Sequence, residues 1–212
     1  MIFKAMPLGP YAVNVYFVGS EETKEVMIVD PGAEANAIVE EVKRQGWKVT
    51  LMVSTHGHGD HTGAGAALKE ALEAPYGLHS NDAHFLSDES PVREVLPDYL
   101  PPSQVDMPLK GGDQIKLGEL TFLVLETPGH STGSICIYGH GLVFTGDTLF
   151  QGSVGVSHPP HGSHAILINS ILTKLMILPD ETLVLPGHGA HSTIGIEKRT
   201  NPFLGGRRRA LW

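Results

Sequence analysis

The segment Thr55–Thr62 reads THGHGDHT and sets His56, His58, Asp60 and His61 within six residues, directly after the apolar run Val49–Ser54. A short apolar run bounded by polar and glycine residues predicts a buried strand, and a loop anchored on such a strand is a rigid place to hold ligands. Residues two apart in extended backbone project to the same side, so His56 and His58 can reach one metal ion. Gly57 and Gly59 allow the sharp turn that swings Asp60 and His61 toward a second position. Imidazole nitrogen with carboxylate oxygen suits Zn, Fe or Mn better than Ca or Mg. A polar surface loop explains any one of these histidines. It does not explain the group, because clustered imidazoles need partners to be tolerated.

Three later positions repeat the pattern. His130 in ETPGHSTG follows the strand-like run Thr121–Leu125, Asp147 in FTGDT follows Leu142–Thr145, and His188 in LPGHG follows Thr182–Leu185. Taken singly, each reads as an ordinary surface or core residue. Added to the first loop they make five histidines and two aspartates, enough for two metals sharing one carboxylate. The chain has one cysteine, which excludes an intramolecular disulfide and a thiolate-based zinc ribbon. Cys136 alternates with Ile135 and Ile137 and reads as a small buried residue rather than a nucleophile.

Further strand-like runs lie at Asn14–Val18, Val26–Asp30, Lys48–Ser54 and Ser134–Tyr138. Helical spacing marks Ala35–Gln45, Gly65–Glu73 and His164–Leu178. The expected fold class is mixed α/β, a single domain over residues 1–212 whose helices cover sheet faces. Asp88–Pro108 holds five of the fifteen prolines and reads as a long surface excursion that could border a site. The formal charge of −8 disfavours nucleic acid as a partner. The prolines in MIFKAMPLGP interrupt any signal-peptide core, and no run reaches a membrane span, so the expectation is a soluble cytoplasmic protein, monomeric or homo-oligomeric.

The series HGHGDH, His130, Asp147 and His188 resembles the metallo-β-lactamase fold superfamily. VDPG at Val29–Gly32 is similar to that fold's aspartate turn and implies a supporting role for Asp30. More narrowly, GDTLFQGSVG at Gly146–Gly155 and TIGIEKRTNPF at Thr193–Phe203 are similar to the single-domain bacterial glyoxalase II-like hydrolases. The resemblance implies a four-layer αββα sandwich with two divalent ions, zinc first and iron or manganese as alternatives. It assigns His56, His58 and His130 to one ion, Asp60, His61 and His188 to the other, and Asp147 as the bridge. Asp60 and Asp147 are then the catalytic carboxylates around a hydroxide shared by the metals.

A thiolate leaves without prior protonation, whereas an amine needs a proton donor, and the sequence singles out no dedicated acid. A thioester or an activated oxygen ester is therefore the better chemical match, and the glyoxalase II resemblance implies a small-molecule thioester of the glutathione type. The alternatives are an oxygenase of the mononuclear-iron persulfide dioxygenase type, a lactone hydrolase and a noncatalytic metal-stabilised binding domain. After GSVG the family commonly carries a basic residue placed to meet a glutathione carboxylate, and here the segment is Val156-Ser157-His158. His158 is the candidate substrate contact, with a solvated loop as the even alternative, and His161 and His164 read as polar residues at a helix entry near an N-cap at Ser163. His79 and His84, flanking an expected helix start at Ser80 or Asn81, read as surface residues. Arg207, Arg208 and Arg209 read as a solvated tail or an interface contact.

Overall fold

The computed structural model describes residues 1–86 and 99–205. Valine, isoleucine and aromatic residues dominate its strands, which form two six-stranded sheets. The first sheet runs in the order β1 (Ile2–Leu8), β2 (Val13–Gly19), β3 (Glu25–Val29), β4 (Lys48–Val53), β5 (Tyr76–His79) and β6 (Met107–Leu109). Strands β1 to β3 pair antiparallel, and β3 to β6 pair parallel. The second sheet contains β7 (Gln114–Leu117), β8 (Leu120–Glu126), β9 (Ile135–Gly139), β10 (Leu142–Gly146), β13 (Leu183–Pro186) and β14 (Ser192–Thr193). Its spatial order is β14-β13-β10-β9-β8-β7, and a two-stranded ribbon, β11 (Leu149–Phe150) with β12 (Ser153–Val154), stands apart.

Strand alternation sorts the side chains into layers. Tyr16, Val18, Met27, Val29 and Val53 of the first sheet meet Phe122, Val124, Ile137 and Phe144 of the second in a central core. The opposite faces are covered too. Val15, Phe17, Ile28 and Met52 pack under α1 (Ala35–Gln45) and α3 (Gly65–Leu72) through Ile38, Val42 and Leu68. Cys136, Val143 and Val184 pack under α4 (His164–Ser170), its π-type continuation Ile171–Leu175, and α5 (Ile194–Thr200), through Leu167, Ile171, Leu175 and Ile194. Burial on both faces is why these strands read as continuous apolar runs. The result is the mixed α/β fold expected from the residue pattern, in the αββα form that the resemblance implied.

Helix α1 has the expected bounds and stops at Gly46, which takes a left-handed φ of 66°. The segment read as one helix from His164 to Leu178 is α4 followed by the π turn, and Ser163 stands at the N-cap without a side-chain cap bond. Strands β1, β5, β6 and β7 are additions to the sequence reading. In β1, Lys4 and Pro7 break the alternation and only the two ends are buried, as suits an edge. Strands β5 to β7 have three or four residues each, too few to show a period. Of the excursion Asp88–Pro108, residues 88–98 lie outside the described residues, as do Arg207, Arg208 and Arg209. Its later part packs inward: Tyr99 is buried, and the Leu100 N–H donates to the Gly63 carbonyl at 2.7 Å. Among the described residues no helix is long and apolar enough to cross a membrane.

The sheets are tied together at one edge. The Asn14 N–H donates to the Gly187 carbonyl at 2.7 Å, and the buried Tyr16 hydroxyl donates to the Pro186 carbonyl at 2.7 Å. On the other side of the seam, the Ile135 N–H donates to the Thr55 carbonyl at 2.8 Å. Strands β4, β8, β10 and β13 all deliver their C-terminal loops to this edge.

Candidate metal centre

The loop after β4 descends through Thr55 and His56 to a single helical turn, α2 (Gly59–Thr62). It is this turn that brings Asp60 and His61 round, with His58 still extended at φ −64° and ψ 147°. His56 and His58 project to the same side as expected, with His56 Nε2 3.0 Å from His58 Nδ1. His130, carried by the loop after β8, places its Nε2 3.1 Å from the first and 2.9 Å from the second. A second group forms beside it. His61 Nε2 lies 3.2 Å from His188 Nε2, and Asp60 Oδ2 lies 3.3 Å from His188 Nε2 and 3.8 Å from His61 Nε2.

Asp147, at the end of β10, stands between the two groups and faces each with a different oxygen. Its Oδ2 is 3.7 Å from His130 Nε2, while its Oδ1 is 3.4 Å from His61 Nε2 and 3.7 Å from His188 Nε2. The structure thus assembles all seven sequence candidates at the seam between the sheets.

These donor atoms fit divalent ions better than they fit one another. Ligand atoms around a tetrahedral zinc at Zn–N distances of 2.0–2.1 Å stand about 3.3 Å apart, close to the 2.9–3.1 Å triangle of His56, His58 and His130 nitrogens. Asp147 Oδ1 is buried and has no aligned hydrogen-bond donor. An unpaired buried carboxylate oxygen costs free energy unless a cation meets it.

Outward-facing ring nitrogens are held by the protein, which fixes the inward lone pairs. His130 Nδ1 donates to the Val156 carbonyl at 2.6 Å, and His188 Nδ1 donates to the Tyr11 carbonyl at 2.9 Å. His61 Nδ1 lies 3.1 Å from Asp30 Oδ2. His56 Nδ1 is 3.2 Å from the Thr55 hydroxyl, which itself donates to Asp30 Oδ2 at 3.0 Å. Asp30 also accepts the Thr55 N–H at 2.7 Å, so one buried carboxylate supports a histidine of each group. The VDPG sequence makes this possible. Asp30 sits at φ 54°, and a Cβ on Gly32 would stand 1.5 Å from the Asp60 carbonyl oxygen.

Charge separates the two groups. Burial drives the His56 imidazole well below its ordinary pKa, with the neighbouring histidines adding to the effect, and brings His58 down to about 4. Both are therefore neutral and free to ligate near neutral pH. Burial also disfavours charge on His61, but Asp30, Asp60 and Asp147 outweigh it and hold that ring well above its ordinary value. Asp60 and Asp147 are in turn kept below the usual carboxylate range, because His61 and its neighbours overcome their burial.

The flanking candidates divide. His158 lies on an exposed loop and lines a cavity of about 380 Å³ with Ser153, Val156, His164 and Phe203, and none of the seven donors lines it. His161 approaches more closely than its sequence context suggests. Its ring centroid is 5.0 Å from that of Phe85, which packs edge-on against His58 at 5.1 Å. His79 ends β5 and lies 3.4 Å from Glu126, and His84 is exposed. Cys136 is fully buried, its thiol pushed up to about 12 by burial, as expected of a core residue. Sequence reading missed the carbonyls of Tyr11 and Val156, which carry no residue-type signal.

Residues 8–188 match the family model of the metallo-beta-lactamase superfamily. The hydroxyacylglutathione hydrolase GloC of Haemophilus influenzae is 34% identical over 212 residues, spanning 96% of this chain and 98% of its own. The crystal structure of BLEG-1, a B3 metallo-beta-lactamase, is 36% identical with a TM-score of 0.89, covering 97% of this chain and all of that one (100%). ETHE1 from Myxococcus xanthus gives 0.83 at 31% identity, covering 97% and 85%. TTHA1623, solved in a di-iron-bound form, gives 0.83 at 37% identity, covering 95% and 100%.

Proposed function

The chain belongs to the metallo-beta-lactamase superfamily, and from that premise we propose a binuclear metal-dependent hydrolase that cleaves a glutathione-type thioester. One observation carries the reading: two triads of donor atoms that share Asp147, one of its oxygens toward each. His56, His58 and His130 would hold one divalent ion, and Asp60, His61 and His188 the other. When bound, such ions supply a water of lowered pKa and polarise a carbonyl oxygen. Zinc suits the nitrogen-rich donor set, and iron is the metal in one similar structure.

The chain's own residues do the rest. Asp60, ionised and with its Oδ2 3.3 Å from His188 Nε2, would orient the attacking water or accept its proton. Asp147 stands between the two triads and would be shared by them, and Asp30 supports His61 directly and His56 through the Thr55 hydroxyl. A thiolate leaves unaided, so the centre requires no separate acid. The 34% identity to a hydroxyacylglutathione hydrolase over nearly the whole chain supports the substrate class.

His58→Ala tests the reading. It is expected to abolish thioester hydrolysis and to lower the metal bound per chain. Full turnover by the metal-free parent would sink it, and oxygen uptake with a single bound iron would replace hydrolysis with oxygenase chemistry. A panel of S-lactoylglutathione, a coenzyme A thioester and an acyl-homoserine lactone separates thioesters from lactones.

A further inference from the structure

The short 3-10 helix Ser80–Leu86, which follows β5, puts one side chain where no sequence motif pointed. Asp82 is fully buried. Its Oδ2 accepts the Gly57 N–H at 2.9 Å and the Ser131 hydroxyl at 2.5 Å, while its Oδ1 accepts the Gly133 N–H at 2.7 Å. Gly57 stands between His56 and His58, and Ser131 directly follows His130. One carboxylate therefore holds both loops that carry the first triad, across 25, 49 and 51 residues of sequence.

Both glycines are shaped to this contact. A Cβ on Gly57 would lie 2.6 Å from the Asp82 carbonyl oxygen, and a Cβ on Gly133 would lie 2.6 Å from Asp82 Oδ1. Ser131 is fixed in turn, its hydroxyl 2.7 Å from that of Ser134, which accepts the Ser131 N–H at 3.0 Å. The same helix presents Phe85 to the edge of the His58 ring. Gly57 also leads into α2, which carries Asp60 and His61 and packs against this helix, but the Ser131 and Gly133 contacts bear on the first triad alone. His61 and His188 are positioned by Asp30 and the Tyr11 carbonyl, and none of the hydrogen bonds of Asp82 reaches Asp60, His61 or His188.

We propose that Asp82 is a positioning residue that sets the metal affinity of the His56–His58–His130 site more strongly than that of its neighbour, by clamping its two loops at the spacing one ion requires. The proposal rests on the binuclear reading above. Its physical basis is that three donors converge on one buried carboxylate, and charge-assisted bonds of this kind are the stronger class. Removing the charge while keeping the shape leaves an amide NH₂ facing at least one N–H or O–H donor. The loops must then separate or rotate, and the nitrogen triangle opens.

The test is titration of the chelator-stripped full-length chain with Co²⁺, followed by the visible absorption of the bound ion and by chelator competition. Asp82→Asn is expected to weaken one class of site by about 10- to 100-fold, the usual scale for losing a partner behind a ligand. The other class should lose clearly less, and the spectrum of the weakened class should change. Ser131→Ala removes one of the three bonds and should shift the same site in the same direction by less, so it decides the matter if Asp82→Asn does not fold. Parent affinities at both sites in these variants would overturn the proposal. So would an equal loss at both sites that tracks a lowered melting temperature of the metal-free chain, because that marks general destabilisation. A parent that binds no Co²⁺ removes the binuclear reading itself, an outcome distinct from a parent that binds normally beside an unchanged variant.

Discussion

His130 shows how a residue's type and its placement carry different information. As a histidine after a strand it was visible in the sequence, and so were the other four histidines and two aspartates, because imidazole and carboxylate have few other reasons to recur at glycine-rich strand ends. The group that orients it was not visible, since the acceptor is the Val156 backbone carbonyl and any residue there supplies one. Asp82 escaped for a related reason: a lone aspartate in a helix start reads as a cap until the loops it binds are folded against it. The Val156 side chain is 68% exposed and makes no ion pair. Val156→Arg therefore keeps the carbonyl contact and introduces the basic residue that the glyoxalase II resemblance implies at this place. For a glutathione thioester it is expected to lower KM severalfold with kcat little changed, through an exposed ion pair of about 1 kcal/mol; steady-state kinetics against an uncharged thioester, whose KM should stay put, checks it.

Among the elements, those with a long apolar period were legible and those shaped by edges were not. Helix α1 and strands β2, β4, β8 and β10 follow directly from the residue pattern, whereas β5 to β7 are defined by neighbours in the sheet. The closing motif TIGIEKRTNPF was legible only as a resemblance, and the structure supplies its physical content. Glu197 of α5 is fully buried and accepts the Gly152 N–H at 2.9 Å, the Asn201 amide at 2.8 Å and the Ser192 hydroxyl. Asn201 Nδ2 also donates to the Ser153 carbonyl at 3.0 Å. The C-terminal helix thus pins the ribbon that leads into Val156. Glu197→Ala should cost about 2–3 kcal/mol by stranding these donors, seen as a lower urea midpoint, and should reduce kcat as the support behind His130 loosens.

On the scale of the whole molecule, two sheets stitched at one edge make a seam where loops from both converge, and that convergence needed the three-dimensional register. The net charge of −8 also takes on a local meaning. Two divalent ions would add about four positive charges at the seam, an attractive point for a small anion on an otherwise acidic surface. Far from the centre, Glu41 of α1 ties that helix to β1. Burial opposes its ionisation, but Lys4 at 2.8 Å, Arg44 at 2.7 Å and Gln45 at 2.9 Å prevail and hold it at about 2 against an ordinary 4.5. A carboxyl depressed on folding stabilises the protein above its unfolded pKa and loses that contribution as pH falls from 4.5 toward 2. Glu41→Gln should therefore cost about 1 kcal/mol at pH 7, and the gap to the parent in urea unfolding of metal-free protein should close as pH approaches 2.

A binuclear centre built from the seven donors makes thioester hydrolysis depend on metal, which is measured as the rate of S-lactoylglutathione hydrolysis against metal bound per chain as ions are returned to stripped protein. The rate should be absent without metal and should climb to a plateau as the second equivalent is bound. Hydrolysis by the stripped chain, or a fully loaded chain that leaves every thioester intact, contradicts it.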